Sequence, residues 1–355
     1  MTDSMDRRRF FRPSRLLRAV SQLQQDMERS IDAIERFASQ PVVTFRRPAM
    51  ACMFEIQFPI SLTDRQTPTA AFDLIDDLED QLTVYRDTSE VSRLNQRAFQ
   101  EPVVVEPRLF ELLTRCQDLH KETDGVFDIT AGPLVRAWGF YRREGRLPEI
   151  QELDDALAAV GMQDVLLDAQ ERTVRFGRPG MELNFGSIGK GYALDRVTEF
   201  LTGRSFSPAL LSAGHSSMRA VGKPPWDDAW QVDLLDPRKG DVPFASVRLS
   251  DQAFSTSGSS SQFFEVGGKR FGHILDPRTG RPAEGMLQTS VVAPDAALAE
   301  ALSTAFFIHG VDWARRYCEN HPRIGALLVS ENSESSGLRI ATLGSIDARI
   351  LPVVI

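Results

Sequence analysis

The chain is 355 residues long, 42% hydrophobic and 25% charged, which suits a soluble globular protein of one large domain or two smaller ones. A net charge of −8, with no basic stripe interleaved with aromatics, excludes a broad nucleic-acid-binding face. Three scattered cysteines, Cys52, Cys116 and Cys318, exclude a disulfide framework and a CxxC zinc site, and no run of about 18 apolar residues marks a membrane span.

At the N-terminus, Asp6-Arg7-Arg8-Arg9-Phe10-Phe11 superficially matches a twin-arginine export signal. The residues that follow, Arg12 to Arg18, supply neither an apolar core nor a small-residue cleavage site. A cytoplasmic protein is therefore expected. Leu16, Leu17, Val20, Leu23, Met27, Ile31 and Ile34 form a stripe that predicts an amphipathic helix over Ser14–Phe37, within an appended segment of residues 1–40. The main domain is expected over residues 41–355.

Within that domain, Phe54–Phe58 alternates as a strand should, and Ala70–Leu82 reads as a helix. A short capped segment follows at Ser89–Asn95. Pro107–Thr123 begins with proline in its first turn, where a helix tolerates it. Strands are predicted at Thr173–Phe176, Glu182–Phe185, Ala209–Ser212, Trp230–Leu234 and Ala245–Leu249. Helices over Ala296–Ile308 and Asp312–Asn320 precede closing strands at Ala326–Ser330 and Leu338–Thr342. The mixture lacks βαβα regularity, so the class is α+β.

Four segments carry candidate chemistry. In Gly258–Pro282, two strands flank Gly267-Gly268, the residues a primed hairpin turn demands. That register sets Phe264 across from Phe271, Glu265 across from Arg270 and Gln262 across from His273. The second strand, read as Lys269–Leu275, then enters the tight turn Asp276-Pro277-Arg278-Thr279-Gly280. A histidine, an acid and an arginine arrive on one rim, as chemistry on a phosphate ester would need. Next, Gly186–Asp195 follows a strand and opens a helix, so its amides and Lys190 suit an anion; a plain strand-to-helix turn also accounts for it. It is neither a P-loop nor a dinucleotide GxGxxG.

The helix after Asp295 is apolar nearly all round, ends at Gly310, and carries Glu300 and Thr304 on one polar edge. A buried carboxylate needs a partner. Either a hard cation such as Mg²⁺, held by carboxylate, hydroxyl and backbone carbonyl, or a salt bridge to an arginine meets that need. Finally, Thr123–Thr130 with Gly132-Pro133-Leu134 and Trp138-Gly139-Phe140 fits either the lining of a flat aromatic ligand's pocket or a structural turn. His120, His309 and His321 read as packing residues.

In their order, these blocks resemble the FAD:protein FMN transferase family (the ApbE family). The resemblance runs from Met50 to the closing strands. It rests on Met50 with Phe54, Tyr85 with Ser89–Asn95, Gly125–Asp128, Gly132–Leu134, Trp138–Phe140, Gly186–Asp195, Gly214–Ser217, Ser257-Gly258, His273–Gly280 and Ala293–Gly310. It implies a T-fold-like arrangement of mixed sheets with packed helices. It also implies cleavage of FAD, attachment of FMN through a phosphoester to a threonine of an acceptor protein, and release of AMP.

The resemblance further assigns FAD contacts to Met50, Tyr85, Val126, Phe127, Asp128, Asn184 and Lys190. Mg²⁺ would be held by the Ser187 carbonyl, Glu300 and Thr304. His273 would lie beside the reacting phosphate, with Asp276 and Arg278 ordering its loop. The chain departs from the family pattern in having Glu300 where aspartate is usual, and His215 where a second glycine is common, a position where it would crowd the flavin or add a polar contact. Two other outcomes share the same blocks: an FAD pyrophosphatase using water as acceptor, and an FAD-binding protein without catalysis.

Overall fold

Among the described residues, eight strands form one sheet whose spatial order is their chain order. They are β1 (Val42–Ala49), β2 (Cys52–Pro59), β3 (Ala209–Ala213), β4 (Ser217–Val221), β5 (Ala253–Gly258), β6 (Gln288–Ala293), β7 (Gly325–Glu331) and β8 (Leu338–Gly344). From β2 to β8 each neighbouring pair is antiparallel. This is the arrangement in a computed structural model, which describes residues 42–351 except 143, 241, 260–261 and 333–336. The helix predicted over Ser14–Phe37 lies outside the described residues.

The central strands are covered on both faces, so β3 and β6 are buried at every position. Their sequences therefore lack the alternation of a half-exposed strand. Among the described residues one face carries α1 (Gln66–Leu82), α6 (Gly189–Thr202), α7 (Ala296–His309) and α8 (Val311–Asn320). The other face packs on a small sheet of Trp230–Leu235, Pro243–Leu249 and Ala348–Ile350. A second core lies under α2 (Glu90–Arg97) and α3 (Pro107–Glu122), closed by the three short strands Val103–Val104, Val165–Asp168 and Thr173–Phe176. Around α4 (Gly132–Ala137) and α5 (Ile150–Ala158), a third cluster holds Trp138 and Leu275. The α+β class is as the sequence implies.

Two predicted elements differ. Glu182–Phe185 forms no sheet strand: Glu182 makes an isolated parallel bridge to Ala131, and the Asn184 N–H donates to the Ile129 carbonyl at 2.7 Å. On Leu183 the Asn95 side chain takes the place of a strand neighbour, its amide donating to the carbonyl at 3.0 Å and its oxygen accepting from the N–H at 2.8 Å. The strand predicted through Leu275 breaks at His273. Lys269–Gly272 pairs with Phe263–Val266, whereas Leu275–Asp276 pairs with Arg281–Pro282.

The contact that positions the site is the crossing of α6 and α7. Gly191 lets them meet, since a Cβ there would lie 2.2 Å from the Ala296 carbonyl oxygen. The Asp195 carboxylate then takes the Ala296 and Ala297 N–H groups at 2.8 and 2.9 Å, satisfying the free amides that open α7. Burial and the neighbouring Asp295 push the Asp195 carboxyl up to about 7 against the pull of those amides. Gly191→Ala should destabilise the fold by about 2–3 kcal/mol, because the clash is with backbone that has no rotamer to change. An unaltered urea midpoint would contradict so close a crossing.

Candidate active site

A cavity of about 570 Å³ opens where the β1–β2 turn, the end of α1, the start of α6, the β3–β4 turn and the hairpin meet. Met50, Tyr85, Asn184, Lys190 and His273 all line it. Sequence reasoning brought these five forward from separate blocks, and the fold brings them together. Cys52, Glu79, Thr83 and Gln262 line it as well. The register across the hairpin already pointed to Gln262. Nothing in the local sequence pattern marks the other three.

The β1–β2 turn is made by Met50 and Ala51, at φ 47° and 60°. Glycine or asparagine normally fills such a left-handed pair, so two ordinary side chains hold strained backbone at the cavity wall. On the opposite rim Tyr85 is 62% exposed, its ring centroid 4.6 Å from that of Tyr141.

The hairpin presents His273. Phe264 and Phe271 stack at 5.3 Å, Glu265 pairs with Arg270 at 3.2 Å, and the His273 N–H reaches the Gln262 carbonyl at 3.1 Å. All three match the predicted register. Phe271 and Phe264 in turn pack near Trp138 and Phe140, at 5.7 Å in each pair, anchoring the hairpin over α4. Nδ1 of His273 lies 3.1 Å from the Gln262 carbonyl oxygen. A carbonyl only accepts, so Nδ1 of the neutral ring carries the proton and Nε2 keeps its lone pair. Burial lowers the imidazole pKa, opposed by the Gln262 bond and assisted by the charge of Lys190.

Asp276 and Arg278 do a different job from His273. Neither lines the cavity. The Asp276 carboxylate accepts from the Arg278 N–H at 2.9 Å and from its guanidinium at 2.8 and 3.0 Å. Burial would raise the Asp276 pKa, but the Arg278 bonds outweigh it and hold the carboxyl below its ordinary range. Trp138 Nε1–H donates to the Gly280 carbonyl at 2.7 Å and ties the turn to α4. The pair holds the turn that follows His273 and does not face the cavity.

Val126, Phe127 and Asp128 also fall elsewhere. All three are buried, and none lines the cavity. Asp124 and Gly125, at φ 51° and 79°, turn the chain back from α3. Phe127 drops into the second core. The Asp128 carboxylate is consumed by Thr130 N–H at 2.7 Å, by the Thr130 hydroxyl at 2.5 Å and by Met162 N–H at 3.1 Å. Of the two sequence readings of this segment, the structural turn describes these side chains. His215 is likewise corrected: its side chain is 70% exposed and turned toward Glu55 at 3.9 Å, while Gly214 and Ser216 on either side face the cavity. It does not crowd the pocket.

Glu300 is 3% exposed, as the apolar surround of α7 requires. Of the two partners the sequence left open, a metal or an arginine, the structure shows the ion-pair kind but with a lysine: Oε1 is ion-paired with Lys190 Nζ, and Oε2 accepts from the Gly191 N–H at 2.7 Å. Burial works to depress the Lys190 pKa, but the Glu300 charge overrides it and keeps the amine protonated. One turn along α7, the Thr304 hydroxyl lies 3.3 Å from that of Ser257 and 3.4 Å from the Glu300 carbonyl. Ser187 sits in the turn just before α6.

Among the described residues no group of three or more His, Cys, Asp or Glu could hold a metal. The oxygen set of Glu300 and Thr304 nevertheless fits a hard divalent cation in its chemistry. The Lys190 ammonium resting on the carboxylate shows that a positive charge is accommodated there. Titration of His273 by NMR should give a midpoint below the ordinary 6.5, so the ring is neutral at neutral pH. Linkage has the matching sign: stability contributed by the neutral ring is lost as the pH falls below that ordinary value. A midpoint at or above it would contradict the burial of the ring.

A family model described as the ApbE family matches residues 50–328. The FAD:protein FMN transferase of Klebsiella pneumoniae (strain 342) is 31% identical over 273 residues, 76% of this chain and 84% of that protein. The protein of the same name from Treponema pallidum (strain Nichols) is 31% identical, over 73% of this chain and 75% of its own length. Among solved structures, the ApbE protein of Thermotoga maritima superposes with a TM-score of 0.75 at 30% identity, covering 84% of this chain and 96% of that one. The apo flavinyl transferase ApbE of Pseudomonas stutzeri gives 0.74 at 26% identity, with 85% and 94% covered.

Proposed function

Because this chain belongs to the ApbE family, we propose that it is a transferase that cleaves FAD and attaches FMN to a threonine of an acceptor protein, with Mg²⁺ as its metal. The observation that carries this reading is the convergence of Lys190 and His273 on one cavity, with Glu300 directly behind the lysine. In the free protein Glu300 keeps the Lys190 charge at the cavity wall, where the diphosphate would meet it. The amides at the start of α6 favour the same anion. Tyr85, Met50 and Asn184 line the remainder of the cavity, available to the rest of the dinucleotide.

In the transfer step the threonine hydroxyl oxygen forms a bond to the FMN phosphorus as the phosphoanhydride bond to AMP breaks. The hydroxyl proton passes to Nε2 of His273, whose lone pair the Gln262 carbonyl leaves free by holding Nδ1–H. AMP departs with the bonding electrons. Mg²⁺, when bound to Glu300 and Thr304 with the Ser187 carbonyl, supplies neutralisation of charge on the diphosphate. Asp276, Arg278 and Trp138 keep the turn after His273 fixed, so the imidazole does not have to be ordered at each turnover.

Incubation of the pure protein with FAD, Mg²⁺ and a threonine-bearing acceptor should yield AMP and flavin covalently on the acceptor. AMP with free FMN alone would contradict transfer in favour of hydrolysis, and intact FAD would contradict catalysis. His273→Ala should still bind FAD, as read by flavin fluorescence, while AMP release slows by about 10²–10⁴-fold, the usual worth of a general base. Release at the wild-type rate would remove His273 from the step.

A further inference from the structure

The Lys190–Glu300 pair has a consequence for the order in which ligands enter, and it deepens the reading just given, on which it rests. Glu300 lies on α7 among Ala297, Ala301 and Leu302, all fully buried. Among the described residues Lys190 is the cation paired with it. A buried carboxylate left without its cation costs several kcal/mol, so the ammonium cannot leave unless another positive charge replaces it. Yet Lys190 is also the cation that lines the cavity where the diphosphate would lie. One ammonium thus has two anionic claimants. The glutamate side chain, one methylene longer than aspartate, reaches α6 far enough to hold Lys190 with one oxygen and the Gly191 N–H with the other.

We infer that Lys190 is the resident cation that a divalent metal must displace from Glu300, and that a diphosphate in the cavity promotes the exchange by drawing the ammonium toward itself. In the free protein the carboxylate oxygen facing Lys190 is closed to metal by an internal competitor. With a diphosphate bound, the ammonium gains a new partner and the carboxylate oxygen is released. Thr304, one turn along α7, would then supply its hydroxyl as a further oxygen ligand. The coupling is reciprocal, so metal on Glu300 also strengthens the hold on a diphosphate. The metal joins after or together with the dinucleotide, never well before it.

Mn²⁺ binding to the full chain, without nucleotide and followed by loss of the free-ion EPR signal, tests this independently of turnover. Lys190→Gln removes the competitor and should bind Mn²⁺ at least tenfold more tightly than wild type. Lys190→Arg keeps a cation and should remain weak, and Lys190→Gln combined with Glu300→Gln should lose binding. Equal affinities in wild type and Lys190→Gln would overturn the competition while leaving a metal on Glu300 intact. No Mn²⁺ bound by any variant, with or without FAD, would overturn the metal reading and this inference with it. A Lys190→Gln protein that folds only when Mn²⁺ is supplied would support the exchange. One that Mn²⁺ does not restore would contradict it.

Discussion

A buried carboxylate that must never be without a cation governs this site. Glu300 is placed in apolar surroundings by a helix whose faces are nearly all covered, and its compensation comes from the first turn of a different helix. Everything that fixes those two helices against each other therefore fixes the charge pair. Gly191 permits the crossing, Asp195 ties the amides of α7 to α6, and Asp295 caps α7 at Leu298. The pair is costly to desolvate and is poor evidence of stability in itself. Its value is positional, because it keeps a protonated amine at the wall of a cavity.

The opposite wall is built by different physics. A two-stranded hairpin has little stability alone, and this one is held by stacked phenylalanines over Trp138 and Phe140 and by a turn closed on Asp276. The imidazole it carries is oriented by a backbone carbonyl rather than by a carboxylate. A carboxylate partner would raise the ring's pKa and add negative charge beside an incoming diphosphate. A carbonyl sets the tautomer without that charge.

Much of this architecture was legible in the sequence where local chemistry dictates structure. Gly267-Gly268 specified the hairpin and its register, and Asp295 with Gly310 marked the ends of α7. The nearly all-round apolar character of α7 foretold the burial of Glu300, and the need for a counter-charge followed. What the sequence could not supply was direction. Asp128 resembles a ligand-facing acid, but two left-handed residues upstream turn it onto Thr130 and Met162. Asp276 and Arg278 stand three and five residues past His273 and satisfy each other. Asn95 replaces a strand neighbour for Leu183, a substitution no periodicity announces. Lysine rather than arginine beside Glu300 depended on a helix crossing between residues 110 positions apart.

The central claim is that a flavin dinucleotide places its phosphates between Lys190 and His273. A crystal structure of the protein grown with FAD tests it most directly. The account predicts diphosphate density in contact with the Lys190 ammonium, on the side of the cavity that His273 faces. Density instead in the groove lined by Lys269 and Arg270, with Lys190 still seated on Glu300 and the cavity empty, would contradict it.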